Sequence, residues 1–406
     1  MRLTDVEINN LNVTLLLSAN SLVLIYPISG MVVLSMLLCL AVFAFTVKRV
    51  PKTHVSIYCI GIFLFVLAFL LNGFGHESIN DYFIRFLIMG AAGLFVATSE
   101  FSPFSVIKYT CVLSYFIYPF LLTKDLHMTG DADFNYMGIT YALLKLMICL
   151  MATVFFINNE RKYRLLNLIV LCLYLALYFL FAERGAYVSI LAFIFLSFCI
   201  HKNLSIYLVL LFIPLLFLLP SSFESVILGL ESLLNSIGVS IFAVSKFAFL
   251  LNEGIDNGRF DIWGDGIRLI QDSPFIGNGI GAYEVLHEEG YVHNVFLQIA
   301  IEGGMIFLIP FLLLVIYAVK RVFDRNEDCE VRVFLAFLLS SVMMPLCFSN
   351  TFWTQQQFWF LIGYLIVLYN ERALQGQSGI IQFVNDIAVR IAVWFDRKEN
   401  KEIHKI

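Results

Sequence analysis

The sequence predicts an all-α, polytopic membrane protein with about twelve transmembrane helices, on the basis of its composition and the lengths of its apolar segments. Of the 406 residues, 60% are hydrophobic and only 14% are charged, whereas a water-soluble domain carries about 25% charged residues. Most apolar blocks are close to the roughly 20 residues that cross a bilayer as a helix. The ten-residue segments of alternating polarity that are typical of a membrane β-barrel are not seen.

Twelve apolar segments are candidate spans. They lie at residues 11–29, 31–47, 55–71, 82–99, 104–122, 136–157, 165–182, 186–200, 204–220, 295–319, 333–349 and 352–369. The first two are separated only by a tight turn that contains Pro27 and Gly30. All eight cysteines lie in apolar segments or near Cys329, so no disulfide framework is expected.

The distribution of lysine and arginine sets the expected orientation. These residues follow spans two, six, eight, ten and twelve, at Lys48, Arg49, Lys52, Arg161, Lys162, Arg164, Lys202, Lys320, Arg321, Arg325, Arg372, Arg390, Arg397, Lys398, Lys401 and Lys405. With twelve spans, all of these loops fall on one side of the membrane, and basic loops mark the cytoplasmic side. Both termini are therefore expected to be cytoplasmic.

This topology divides the chain into four parts. They are residues 1–220 with spans one to nine, 221–294 as a large outer loop, 295–370 with spans ten to twelve, and 371–406 as a cytoplasmic tail. A loop of this length is usually functional. Ile237–Leu251 is apolar enough to lie at the membrane interface or to re-enter the bilayer. Ile380–Phe395 is expected to form an interfacial amphipathic helix.

Charged residues inside or near the membrane are the first candidate functional groups, because each costs about 2.5–3.5 kcal/mol on insertion scales. Glu183 and Arg184 interrupt an apolar run at the outer end of spans seven and eight. An arginine there serves function, reaches the headgroups or pairs with Glu183.

The outer loop holds two further clusters. Arg259 and Arg268 offer planar guanidinium groups that suit phosphate oxygens. Gly277, Gly279 and Gly281 follow, and glycines allow backbone to approach a ligand closely. As a nucleotide-binding fingerprint this spacing is weak, since no strand precedes it. The alternative interpretation is an ordinary turn-rich loop.

The last cluster begins with His293 and Asn294, where the loop enters span ten, and continues to Glu302. Glu302 lies about 13 Å along the helix axis from His293, too far for a direct pair. A lone histidine at a helix start is more often a cap or a surface residue than a catalyst.

Taken together, these segments form four motifs in a characteristic order. They are Glu-Arg-Gly-Ala at 183–186, Gly-Arg-x-x-x-Trp at 258–263, Pro-Phe-x-Gly-x-Gly-x-Gly-x-x-Glu at 274–284 and His-Asn-x-x-Leu-Gln-x-x-x-Glu-x-Gly at 293–304. This order resembles the O-antigen polymerase and ligase family, most specifically from Gly258 to Gly304. Glu183 stands where the family commonly has serine, which leaves the partner of Arg184 open.

The resemblance implies a fold like that of the C-type glycosyltransferases and an enzyme of the bacterial inner membrane. Such an enzyme transfers a glycan from undecaprenyl pyrophosphate to a sugar hydroxyl at the periplasmic face, with inversion and with neither metal nor cofactor. The expected partners are the undecaprenyl-pyrophosphate-linked oligosaccharide, membrane lipid and a chain-length regulator protein, and no nucleic acid.

The resemblance also implies roles for individual residues. His293 matches the general base, and Arg184 and Arg259 match the positions that contact pyrophosphate. The further residues expected at the substrate are Arg268, Gly277, Gly279, Gly281, Asn294 and Glu302, with a structural role favoured for Glu302.

Two cations lie outside these motifs. Arg85 is one turn inside the outer end of span four, where it either lines an acceptor or lipid site or reaches the headgroups. Lys145 lies near the middle of span six, and both a functional role and a structural ion pair are open for it.

Three functions remain in competition. A polymerase joins lipid-linked repeat units, and this is the favoured hypothesis because the first half of the chain matches no ligase pattern. A ligase transfers the finished polymer to the lipid A core. A lipid-linked glycan transporter or flippase is the alternative of another class, but the two halves of the chain show none of the repetition that is usual in transporters.

Overall fold

The computed structural model describes residues 4–22, 31–46, 51–72, 77–122, 136–157, 161–181, 184–200, 259–287 and 290–374, with single positions between 229 and 236. These residues form helices and contain no strand, so the all-α prediction is confirmed for them. The α-helices are Asp5–Leu22 (α1), Met31–Thr46 (α2), Lys52–Asn72 (α3), Glu77–Arg85 (α4), Ala91–Val96 (α5), Pro103–Leu122 (α6), Tyr136–Phe156 (α7), Arg161–Phe181 (α8), Arg184–Ile200 (α9), Arg259–Asp272 (α10), Ala282–Leu286 (α11), Val295–Phe323 (α12), Cys329–Leu338 (α13), Met344–Leu346 (α14) and Gln356–Leu374 (α15).

Described helices overlap eleven of the twelve predicted spans. By length and hydropathy, five helical stretches in the described ranges qualify as membrane spans: Lys52–Leu70, Glu77–Val96, Ile139–Phe156, Val295–Phe323 and Cys329–Leu346. The predicted span 204–220 and the predicted segments Ile237–Leu251 and Ile380–Phe395 lie outside the described residues. The number of spans and the orientation stay predictions.

Helix α7 lies at the centre of the bundle, where it packs against α1, α6, α8, α9 and α13. Its apolar side chains from Ala142 to Ala152 are buried. By contrast, α3 is exposed along much of its length, and Phe63 and Leu70 are 64% and 74% exposed. Exposed apolar side chains of this size suit contact with lipid hydrocarbon rather than water.

Two π-helical turns interrupt helices of the bundle. One is Phe86–Gly90, directly after α4, and the other is Leu339–Met343, directly after α13. Such turns insert an extra residue into a helix, redirect its side chains and occur frequently at functional sites. The ring of Phe86 packs against Trp353 and Trp359, with centroids 5.4 and 4.9 Å apart, which joins the first π turn to α15.

Helix α12 is broken at Gly304, where φ is 60° and ψ is −161°. The loop before α11 docks at this break through four backbone hydrogen bonds: Asn278 N to Ile301 O (2.7 Å), Gly279 N to Glu302 O (3.0 Å), Met305 N to Pro274 O (2.9 Å) and Ile306 N to Phe275 O (3.2 Å). In an unbroken helix these α12 groups would pair with one another, Ile301 with Met305 and Glu302 with Ile306.

Unpaired backbone groups cost several kcal/mol each in a membrane interior. The docked loop and the broken helix therefore stabilise each other, and both motifs after residue 273 serve this one structure.

Candidate active site

Helix α10 presents the second motif to the segment that precedes α12. Arg259 and Trp263 are four residues apart and so lie on one face of the helix. The indole Nε1 of Trp263 donates a hydrogen bond to the backbone oxygen of Val292 at 3.2 Å. A small apolar cluster that includes Val292 and Ile301 packs α10 against α12. Because α10 holds Val292 in this way, it also fixes the position of His293, which follows Val292 in the chain.

His293 has a left-handed backbone, with φ at 55°. This conformation is uncommon for residues other than glycine, costs about 1–3 kcal/mol and clusters at functional sites. The next residue, Asn294, caps α12, because its Oδ1 accepts the backbone N–H groups of Phe296 (3.0 Å) and Leu297 (3.2 Å). The cap places the His293 ring at the entrance to α12, 4.3 Å from the ring of Tyr291 between centroids.

The surroundings of His293 favour its neutral form. Burial, followed by the positive charge of Arg259, lowers the pKa of His293 to about 4. The Nδ1 atom is buried and has no hydrogen-bond partner within the described part of the chain. At neutral pH the imidazole therefore carries one unprotonated nitrogen, which a proton acceptor needs.

We expect His293 to titrate near pH 4 in the ligand-free protein, because burial and the charge of Arg259 both disfavour the protonated ring. The measurement is a pH titration of histidine ring signals by NMR, with the signal assigned by its loss in His293→Gln. Arg259→Gln removes the second cause and is expected to raise the pKa of His293. Arg268→Gln on the same helix is the matched control and should leave it unchanged. Titration of His293 near pH 6.5 in the wild-type protein contradicts the expectation.

The three glycines of the loop differ in their surroundings, although all have positive φ values (73°, 90° and 72°). A Cβ on Gly277 would lie 2.5 Å from the backbone of Glu302, and a Cβ on Gly281 would lie 2.6 Å from Ile79. A Cβ on Gly279 would meet nothing within 4 Å among the described atoms. The close approach at Gly277 and Gly281 is thus to the protein itself, and of the three only Gly279 has no close neighbour among the described residues. Substrate contact by these glycines stays a prediction.

Glu302 is the centre of a buried hydrogen-bond network. Its carboxylate accepts Trp353 Nε1 (2.7 Å), Gln298 Nε2 (3.0 Å) and the backbone N–H of Gly281 (3.4 Å). Gln298 Nε2 also donates to Thr351 Oγ1 at 2.8 Å. The network ties the broken helix to the glycine loop and to the segment before α15, an arrangement that supports the structural role favoured for Glu302.

Glu284, the last residue of the third motif, was not among the residues singled out from the sequence. It is buried, and Tyr82 Oη donates a hydrogen bond to its Oε1 at 2.9 Å. Burial raises the pKa of Glu284 above its usual range. The contact joins α11 to α4. Glu284 could have been identified from the sequence, because it is the last residue of the glycine motif. Tyr82, Thr351 and Trp353 lie in no motif, so nothing in the sequence pointed to them.

The structure does not bring all the predicted arginines together. Arg268 follows Arg259 by nine residues, about half a turn around α10, so it lies on the opposite face. Its side chain is 79% exposed and pairs with Asp265 at 2.9 Å. Arg85 pairs with Asp81 at 2.7 Å and lines a cavity elsewhere in the bundle.

Arg184 is the first residue of α9, but its side chain and all of Glu183 lie outside the described residues. The neighbouring Gly185 shows how closely this motif packs. A Cβ on Gly185 would lie 2.5 Å from the Oη of Tyr141. The start of α9 therefore lies directly against α7.

The family comparison agrees with the order of motifs. Residues 168–312 match the family model described as O-Antigen ligase, a segment that begins in α8, ends in α12 and contains all four motifs. No curated protein matches the chain. The match confirms the resemblance expected from the sequence and supports the O-antigen polymerase and ligase family. Activity of the glycosyltransferase type is supported in general terms.

Proposed function

We propose that this protein is an O-antigen polymerase, which transfers a glycan from undecaprenyl pyrophosphate to a sugar hydroxyl of a lipid-linked repeat unit. The observation that carries the proposal is the neutral His293 held beside Arg259 within the segment that matches the family. A proton acceptor within electrostatic range of a cation is what this reaction requires. The acceptor hydroxyl loses a proton as the pyrophosphate leaves with negative charge.

In the proposed step, the acceptor oxygen attacks the anomeric carbon from the face opposite the pyrophosphate. The bond between the anomeric carbon and the pyrophosphate oxygen breaks, and its electron pair leaves with undecaprenyl pyrophosphate. The acceptor proton passes to the imidazole of His293, and the configuration inverts. Arg259 and Arg184 bind the leaving group, with charge-assisted bonds that strengthen as its negative charge grows. A positioned base of this kind contributes on the order of 10²–10⁴ in rate.

The electrostatics couple the two roles. In the free protein the charge of Arg259 is one of the two causes that depress the pKa of His293. A pyrophosphate bound at Arg259 offsets that charge and raises the basicity of the imidazole. His293 is thus a stronger base when the donor is bound. Without the donor, its lowered pKa keeps the ring from taking up a proton.

A second candidate within the family is the ligase reaction, which transfers finished polymer to the lipid A core. The matching family model is described as O-Antigen ligase, but the match supports both reactions equally. The same residues would perform the same displacement, since only the acceptor differs. Residues 1–167 and 313–406 lie outside the match, so they carry no family signal for either acceptor.

A deletion strain distinguishes the two reactions. Surface polysaccharide is separated on a gel after complementation with wild type, Arg184→Ala, Arg259→Ala or His293→Ala, and membrane levels of each protein are measured. For a polymerase, the deletion leaves core capped with one repeat, and wild type alone restores the ladder.

Bare core with accumulation of carrier-linked polymer would instead establish the ligase reaction. If all three variants are present at wild-type levels and restore a normal ladder, the assigned site is wrong. We also propose that the protein lies in the inner membrane of the cell. The distribution of basic residues predicts that the site faces the outer side of that membrane.

A further inference from the structure

A second site is suggested by a cavity of about 200 Å³ inside the helix bundle. Its walls come from α1, α2, the end of α4, α7, α14, the two π-helical turns and the segment around the start of α15. None of its lining residues falls within residues 168–312, the segment that matches the family. The cavity is therefore built by the part of the chain for which no motif was recognised.

Lys145 is the central charge of this cavity. It lines the wall from α7, and only 6% of its surface is exposed. Within the described ranges Lys145 makes no ion pair or hydrogen bond, and no aspartate or glutamate lines the cavity. Arg85 also lines the cavity, but its charge is already paired with Asp81 at 2.7 Å, which leaves Lys145 as the cation for a ligand. Charged groups in a membrane interior are costly and mark substrate sites by default, so the cavity has the electrostatic character of an anion site.

The neutral lining groups narrow the ligand class. Eight lining residues carry neutral hydroxyl or amide groups: Asn20, Ser35, Tyr141, Ser341, Asn350, Thr354, Gln355 and Gln357. Hydroxyl and amide side chains can both donate and accept hydrogen bonds. An ionised phosphate offers acceptors alone and would use only the donors of this lining. A sugar that bears a carboxylate offers an anion for Lys145 and hydroxyl groups that suit both the donors and the acceptors of the lining.

The cavity lies between two of the matched motifs. On one side its lining residue Tyr141 contacts Gly185, next to Arg184. On the other side Asn350 and Thr354 line the cavity and flank Thr351, which accepts a hydrogen bond from Gln298 of α12. Residues that line or adjoin the cavity thus contact the first and the fourth of the matched motifs.

We propose that this cavity binds a single carboxylated sugar residue of the lipid-linked glycan, with Lys145 as the cation for the carboxylate. The proposal rests on the function proposed above and names a substrate class for it, a glycan that contains an acidic sugar. The volume is below the roughly 300–1,000 Å³ of sites for drug-sized ligands. It therefore suits one sugar residue rather than a whole repeat unit.

The test is saturation-transfer NMR on the full-length protein in nanodiscs, with methyl β-glucuronide and methyl β-glucoside as probes that differ only in the carboxylate. We expect the glucuronide to bind and the glucoside to bind at least ten-fold more weakly. Lys145→Met should reduce glucuronide binding at least ten-fold, and Lys145→Arg should retain the preference for the acid. Lys108→Met is the matched control, because Lys108 is exposed and does not line the cavity.

Three results would overturn the proposal. One is equal binding of both glycosides, or of neither, in the wild-type protein. Another is loss of pyrophosphate binding in Lys145→Met with the glucuronide unaffected, which would assign the cavity to the carrier lipid. The third is a folding defect of Lys145→Met that Glu183→Gln corrects, which would identify a structural ion pair.

The binding assay requires no transfer reaction, and His293→Ala should bind the glucuronide like wild type. If the glucuronide does not bind but the polysaccharide ladder depends on His293, the cavity proposal is wrong and the proposed function stands. If the glucuronide binds but the ladder does not depend on His293, the proposed function is wrong and the binding site stands.

Discussion

Replacing His293 by alanine is expected to abolish glycan transfer while the protein stays folded in the membrane. The variant removes the only proposed proton acceptor, so the rate should fall by about 10²–10⁴. The backbone at residue 293 has φ at 55° in the wild type, and alanine meets the same left-handed conformation as histidine. The Asn294 cap and the Trp263 contact to Val292 involve no atom of the His293 side chain. The loss should therefore appear in activity rather than in stability.

The measurement is the initial rate of polymer formation in membranes that contain equal amounts of each protein. His287→Ala is the control, since His287 belongs to the same loop but stacks on Tyr283 with ring centroids 4.6 Å apart. We expect it to keep most of the activity. A His293→Ala rate within a factor of ten of wild type would remove His293 from the reaction.

The second large effect is expected from Gly277→Ala, which should prevent the glycine loop from docking on the broken helix. Its Cβ would lie 2.5 Å from the carbonyl carbon and oxygen of Glu302. Neither the loop nor α12 can yield without loss of the four backbone hydrogen bonds at Gly304. We expect a low membrane level and a markedly lower thermal unfolding temperature, measured by fluorescence in detergent.

Gly279→Ala separates the steric effect from the backbone effect. Gly279 has φ at 90°, but its Cβ would meet nothing within 4 Å of the described atoms. Gly279→Ala should lower the free energy of unfolding by only about 1–2 kcal/mol, which is the cost of a left-handed backbone for an L-residue. If the Gly279 backbone contacts substrate, this variant folds but transfers slowly. Equal destabilisation by the two substitutions would contradict the docking role of Gly277.

Hydropathy predicted the long apolar helices among the described residues, because burial in lipid acts on each segment separately. The predicted span 55–71 corresponds to α3 at Lys52–Asn72, and 136–157 corresponds to α7 at Tyr136–Phe156. The break at Gly304 was not predicted. Residues 295–319 read as one continuous apolar span, and the loop that pairs with the break lies more than twenty residues earlier. Local patterns carry no information about such a pairing.

Residues of the candidate site could be predicted only where they belong to a recognised motif. Arg259 and His293 were identified through their motifs, and the structure places them within electrostatic reach of each other. Arg268 was included because of its charge, but position on a helix face decides contact, and it faces away from Arg259. The cavity around Lys145 was beyond sequence analysis, because packing alone brings Asn20 and Gln357 into one wall.

The central claim is that this protein breaks the bond between a glycan and undecaprenyl pyrophosphate with His293 as the base. The most direct test incubates the purified protein with lipid-linked repeat units extracted from the deletion strain. Undecaprenyl pyrophosphate and glycan length are then measured together. We predict one carrier pyrophosphate released for each glycosidic bond formed by wild type, and neither product from His293→Ala. Movement of the lipid-linked glycan without carrier release, or equal release by His293→Ala, would contradict the account.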